Sequence, residues 1–218
     1  MLQKKPQPLP RPERRPDGRI VYVVGFTGSG KTTWTRQQVR GARRLLIWDG
    51  KEEWGERDRC RVVTSAVELR AAVMNPKAGR ISYRVPVSRE TFDVFCRLAW
   101  VWIRYGVGTL VIEELADVTT AGKAPVAWGE IVRKSRGYGA EVYALTQRPQ
   151  EVDKTVQGNA SLYHCGMMAD AVDAAYVARR LLNCDPALVA AMPPMHWIER
   201  DVRTRELRQG ITAHKLRK

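Results

Sequence analysis

Between residues 25 and 32 the chain reads Gly25-Phe26-Thr27-Gly28-Ser29-Gly30-Lys31-Thr32, which satisfies G-x-x-x-x-G-K-[ST] in full. Glycines at this spacing let the backbone curl until successive N–H groups face one point. An anion held there also meets the positive end of the next helix dipole. The chemistry this suits is the cradling of a nucleoside triphosphate, with Lys31 bridging the β- and γ-phosphates and the Thr32 hydroxyl offered to Mg²⁺. The binding segment runs from Gly25 through Thr33. A fortuitous glycine-rich turn would not need the apolar run IVYVV directly before it and a helical stretch directly after it, and both are present.

A phosphate-binding loop of this kind needs an acid at the end of a neighbouring strand, to hold the metal and align a water. In TLVIEELAD four residues of strand character end in Glu113-Glu114. Paired carboxylates after a buried strand are costly unless a cation or a reaction uses them. Glu113 is assigned to the metal and Glu114 to polarising the attacking water; the alternative is a strand end that simply emerges into solvent. Asp117, one turn further on, suits a cap or the surface. A third feature is the run AEVYALT leading into Gln147-Arg148-Pro149. An amide there can hydrogen-bond both the γ-phosphate and the lytic water. By itself T-Q-R-P is equally an ordinary turn ended by Pro149, and its place behind the other two motifs favours a sensor.

The elements that must position these groups follow from the patterning. From Arg19 onward short β-branched runs alternate with helical stretches, which predicts an α/β fold with a mainly parallel central sheet and helices on both faces. Strands are expected at 19–24, 44–48, 61–64, 80–85, 109–113, 140–146 and 161–165. Helices are expected at 31–40, 65–73, 88–104, 124–137 and 170–183. In the third of these Ser88 is the cap, and Phe92, Phe95, Cys96, Ala99, Trp102 and Ile103 recur at helical spacing, a core stripe rather than a base-stacking platform. After Pro193-Pro194 the segments HWIERDV and TRELRQGIT read as a terminal hairpin.

Three parts are expected: a Pro-rich basic arm over 1–18, a catalytic core over 19–199 and a basic segment over 200–218. The arm carries Pro6, Pro8, Pro10, Pro12 and Pro16, which exclude helix and sheet interior. The whole chain has 218 residues, 44% of them hydrophobic, enough for one core. It holds 37 Lys and Arg against 23 Asp and Glu, a net +14, and this excess implies a polyanionic partner. Residues 1–19 contribute a net +4 and residues 200–218 a net +5, a concentration that suits sequence-independent contact with phosphate backbones. A generic basic surface or a lipid-facing peptide is the competing explanation, and no long basic amphipathic helix supports it. Cys60, Cys96, Cys165 and Cys184, and His164, His196 and His214, are scattered without metal-ligand spacing, and a reducing compartment is expected. No apolar run reaches about 18 residues, so neither a secretory leader nor a membrane span is expected.

Four stretches in order, GFTGSGKT, LLIWDGKEEW with Asp49 closing the second strand, LVIEEL and RKSRGYGAEVYALTQRP, resemble the HerA/FtsK superfamily of P-loop ATPases, with a RecA/FtsK-like fold. Within it the likeness is to the genome-packaging ATPases of tailless, membrane-containing icosahedral viruses, over roughly residues 19 to 165. The resemblance implies ATP and Mg²⁺ as ligands, hydrolysis at the β–γ bond, a homo-oligomeric ring and movement of double-stranded DNA into a preformed capsid. It also implies partners at a capsid vertex or among viral membrane proteins, and a location in the host cytoplasm and at the packaging vertex. That family usually has Asp where Glu113 stands, and a bridging water would absorb the extra methylene. It completes each site with a neighbour's arginine; Arg133, Arg136 and Arg148 are candidates, with Arg136 preferred from its place in the family pattern. Two other functions fit the same motifs: a cellular or plasmid DNA-processing translocase, and a nucleotide-gated phage assembly protein with little turnover.

Overall fold

The computed structural model describes residues 14–15, 17–75, 77–106 and 108–213. Most of the Pro-rich arm and the basic residues after 213 lie outside the described residues. Nine strands alternate with seven helices along the described chain: β1 (Arg19–Val24), α1 (Lys31–Gln38), β2 (Leu45–Trp48), β3 (Arg61–Val63), α2 (Ala66–Val73), β4 (Arg80–Tyr83), α3 (Arg89–Arg104), β5 (Thr109–Ile112), α4 (Val126–Lys134), β6 (Glu141–Thr146), α5 (Lys154–Asn159), β7 (Leu162–Gly166), α6 (Ala171–Tyr176), α7 (Pro186–Ala190), β8 (His196–Asp201) and β9 (Leu207–Ile211).

All nine strands join one sheet in the order β3-β4-β2-β5-β6-β1-β7-β8-β9. The first seven in that order are parallel, and β8 and β9 add to the β7 edge antiparallel. The strands read as continuous apolar runs because both faces are covered. Successive side chains take opposite faces: Ile20, Tyr22 and Val24 enter one core, Val21 and Val23 the other. The larger core is roofed by α2 to α7; the smaller is covered by Trp34 of α1 and by Trp54 from the loop after β2. Helices therefore cover both faces, though unequally.

The cap and stripe expected for the third helix are present. Ser88 Oγ accepts the Thr91 N–H at 3.1 Å and Thr91 Oγ1 accepts the Ser88 N–H at 3.1 Å, while all six apolar residues of the stripe are buried. The helix expected at 124–137 is shorter, ending at Lys134 and tightening into a 3₁₀ turn over Ser135–Gly137. That expected at 170–183 opens on an Asp170 cap and continues past Tyr176 as a π-helical turn over Val177–Leu182. Two short helices, α5 and α7, were not expected. Each has a readable start, Asp153 accepting the Val156 N–H and Asp185 preceding Pro186, but each is under two turns and too short for a periodic signal. The expected core boundary after residue 199 falls inside β8, and β9 lies in the same sheet, so the first part of the basic C-terminal segment is sheet edge.

Where α1 meets β7, the His164 ring stacks on Trp34 at 3.8 Å and its Nδ1 lies 2.9 Å from Glu199 Oε1 of β8. Burial depresses the His164 pKa below its ordinary 6.5. The unfolded chain therefore takes up a proton that the folded chain refuses, and stability present above about pH 6.5 is lost as pH falls. Over about pH 7 to 5 the raised Glu113 carboxyl acts in the opposite sense, so the His164 contribution is read as a difference: melting temperature should fall further, or rise less, in the wild type than in His164→Gln, and an identical slope in the variant would refute the assignment.

Candidate functional site

Because β5, β6 and β1 are adjacent and parallel, their carboxyl ends lie along one sheet edge. That register brings the loop after β1, the acids after β5 and Gln147 after β6 together, although 120 residues separate Thr27 from Gln147. The Thr27 hydroxyl donates to Gln147 Oε1 at 2.9 Å, tying the glycine loop to the end of β6.

Gly30 stands at φ 94°, immediately before α1, in a left-handed conformation that side chains rarely adopt. A Cβ at Gly30 would also approach the Met195 sulfur to 3.0 Å, so this glycine admits both the turn and the neighbouring segment. Lys31 is 8% exposed, and its ammonium donates to the loop's own carbonyls, Gly25 O at 2.5 Å and Phe26 O at 3.1 Å. Burial lowers its pKa to about 8. No acidic residue lies in the first turn of α1, so nothing within the helix offsets the positive end of its dipole.

The two glutamates have different surroundings. Glu113, 3% exposed, faces the cleft and accepts the Trp54 indole N–H at 2.8 Å; burial pushes its carboxyl up to about 7. Glu114 turns at φ 48° toward β6. Its Oε1 accepts from Thr146 Oγ1 and from the Gln147 N–H, both at 2.9 Å, and its Oε2 pairs with Lys51 Nζ at 2.8 Å. Burial opposes ionisation of Glu114, but the Lys51 ammonium and the donors of Gln147 and Thr146 outweigh it and hold the carboxyl below its ordinary range.

The loop after β2 supplies the opposite wall. Asp49, fully buried, accepts the N–H groups of Glu53 and Trp54, the Ser82 hydroxyl and the Arg84 Nε–H, and this fixes a turn that points Lys51 and Glu53 into the cleft. Arg84 also bonds the Trp54 carbonyl. The resulting cleft of about 280 Å³ is lined by Thr27, Gly28 and Gly30 to Thr33 on one side and by Lys51, Glu53, Glu113, Gln147 and Met195 on the other. Its volume suits a phosphate chain, below the usual 300–1,000 Å³ of whole-ligand pockets.

Arg136 is not at this edge. Its carbonyl accepts the Gly18 N–H at 3.3 Å, which puts it beside the amino ends of β1 and β6, away from the cleft by the length of a strand. Arg133 is exposed on α4, and Arg148 lies past the end of β6, 3.9 Å from Asp173. Lys51, Glu53, Trp54 and Met195 line or support the cleft without having been singled out from sequence. Asp49 at the end of a strand, followed by Lys51 and Trp54, was a usable signal for the first three; Met195, at φ 65°, had none.

Comparison with known proteins extends this picture. No family model matches the chain. It is 40% identical over 154 residues to Protein P9 of Pseudoalteromonas phage PM2, covering 68% of each chain. The fold is similar to that of the genome packaging NTPase B204 from Sulfolobus turreted icosahedral virus 2 in complex with ATP-gammaS, with a TM-score of 0.72 at 18% identity over 89% of this chain and 97% of that one. B204 from Sulfolobus turreted icosahedral virus gives 0.70 at 15% identity, covering 90% and 98%. The bacterial conjugative coupling protein TrwBdeltaN70 gives 0.64 at 11% identity, covering 89% and 85%.

Proposed function

Since the chain belongs to the family of Protein P9 of Pseudoalteromonas phage PM2, within the HerA/FtsK-type P-loop ATPases, we propose that it is a viral genome-packaging ATPase that hydrolyses ATP to drive double-stranded DNA into a preformed capsid. The observation that carries this reading is the junction of the glycine loop, the acid pair and Gln147 at one sheet edge, linked by the Thr27–Gln147 and Gln147–Glu114 hydrogen bonds. A nucleotide γ-phosphate seated on Lys31 would meet Gln147 and Glu113 in the cleft and reach Glu114 through its bonds to the Gln147 N–H and Lys51.

In this reading the phosphates lie on the N–H groups of the segment from Gly25 to Thr33, and Lys31 leaves its loop carbonyls for them. The residues fit Mg²⁺: Thr32 and Glu113 offer hard oxygen donors, and Glu113 is a buried carboxyl that a nearby cation would hold ionised. When bound, Mg²⁺ supplies charge neutralisation across the β- and γ-phosphates. Glu114 polarises the lytic water, Gln147 senses the γ-phosphate, and Arg136 reaches a neighbour's site in a homo-oligomeric ring. The net +14 is the chain's means of holding duplex DNA without reading its sequence. Partners at a capsid vertex or in the viral membrane, and work at the packaging vertex in the host cytoplasm, complete the proposal. None of the described helices is long and apolar enough to cross a membrane.

The test is turnover with and without duplex DNA, read beside particle mass. A packaging motor is expected to hydrolyse ATP faster on any duplex, to form a closed oligomer, and to lose DNA affinity with salt at about −0.9 in log K against log salt per phosphate neutralised. Slow turnover indifferent to DNA would instead favour a nucleotide-gated assembly protein.

A further inference from the structure

Two ammonium groups face the phosphate cleft, and the proposed function uses one of them. Lys31 rests on the carbonyls of its own loop. Lys51 rests on Glu114, and its side chain is 31% exposed against 9% for its partner. Both oxygens of the Glu114 carboxylate are thus engaged: Oε1 by Thr146 Oγ1 and the Gln147 N–H, Oε2 by Lys51. Oε2 keeps room for a water, but the ammonium resting on it offsets the negative charge with which Glu114 would polarise that water, so full polarisation requires a donor to leave. Thr146 and the Gln147 N–H belong to the end of a central strand and move only with the sheet. Lys51 is on a long, partly solvated stem in a loop that borders the phosphate cleft, and it can leave by side-chain rotation.

What would draw it away is a stronger anion within reach. The γ-phosphate of a nucleoside triphosphate carries more charge and more acceptor oxygens than a carboxylate, and a diphosphate lacks that group. The backbone is strained on both sides of the contact, with Glu52 at φ 54° and Glu114 at φ 48°, two non-glycine residues in the left-handed region. Such strain is kept where the surroundings over-determine it, and here Asp49 fixes one side and β6 the other.

We propose that Lys51 is a γ-phosphate-sensing positioning residue: paired with Glu114 it keeps that carboxylate occupied, and on triphosphate binding it transfers to the γ-phosphate and frees Glu114 Oε2 for the lytic water. This rests on the nucleotide-binding reading of the cleft and adds a regulation to it. The device withholds a polarising carboxylate from water until there is a γ-phosphate to attack. It also makes Lys51 a discriminator between triphosphate and diphosphate.

The experiment is calorimetric titration of the full chain with ADP and with a β,γ-methylene ATP analogue, both with Mg²⁺, for the wild type, Lys51→Met, Lys51→Arg, Glu114→Gln and the Lys51→Met/Glu114→Gln pair. Lys51→Met is expected to weaken the analogue by about ten- to a hundredfold while leaving ADP within about twofold, and Lys51→Arg to restore most of the loss. Glu114→Gln releases Lys51 from its ion pair, so it should bind the analogue more tightly than the wild type, and that gain should vanish in the double variant. Equal losses for ADP and analogue would mean that Lys51 only shapes the loop, and would overturn the proposal. So would an unchanged analogue affinity in Lys51→Met, or a Glu114→Gln gain that survives without Lys51. A wild type that binds neither nucleotide would instead refute the nucleotide-binding reading itself.

Discussion

Lys31→Ala is expected to leave a folded protein whose ATP turnover is lower by about a thousandfold or more, because it removes the one buried cation of the glycine loop from where phosphate charge develops. Little stability should go with it. The ammonium is desolvated enough to bring its pKa down to about 8, so the lost carbonyl bonds are offset by relief of that burial. Phosphate release and the melting temperature, measured together, check both halves. The same variant tests the ring. β6 runs six residues from Glu141 to Thr146, about 16–20 Å, and Arg136 lies before its start while the cleft lies past its end. Arg136 therefore cannot serve its own cleft. Arg136→Ala should bind ATP normally and turn over poorly, and mixing it with Lys31→Ala chains should recover part of the activity, since a mixed interface joins an intact loop to an intact arginine. A silent mixture of chains that demonstrably co-assemble would remove Arg136 as the trans-acting group and leave Arg133 or Arg148.

Glu114→Gln should keep nucleotide binding and lose about 10²- to 10⁴-fold in turnover, as expected when a general base becomes an amide of the same shape. Glu113→Gln should behave differently. Its carboxyl is the one in the cleft, buried and pushed up to about 7, so its neutralisation should be felt first in Mg²⁺ dependence, with half-saturation moved to higher metal and nucleotide affinity reduced with it. Titrating Mg²⁺ against single-turnover rates separates the two. If Glu113→Gln binds nucleotide fully and fails only in the chemical step while Glu114→Gln is mild, the two roles are exchanged.

What could be read from sequence was whatever is local. The loop from Gly25 to Thr33, Ser88 with its stripe in α3, and the strands before the glycines, the acids and Gln147 are all set by neighbours within a few residues, through turn conformation, capping and apolar periodicity. Even the parallel sheet was legible, because strands buried on both faces are written as unbroken apolar runs. Tertiary structure decided the rest, for reasons of distance along the chain. Only the order β5-β6-β1 brings Gln147 to Thr27, and only the fourfold bonding of Asp49 to residues up to 35 positions away turns Lys51, Glu53 and Trp54 toward the cleft. Two adjacent glutamates that read alike in sequence were separated by a single left-handed residue: φ 48° at Glu114 sends its carboxylate to Lys51 and β6, while Glu113 stays with Trp54 in the phosphate cleft. Periodicity fixes which face of an element a residue takes; which partner waits on that face depends on strands and loops far away in the chain, and here those partners set the charge of each carboxylate.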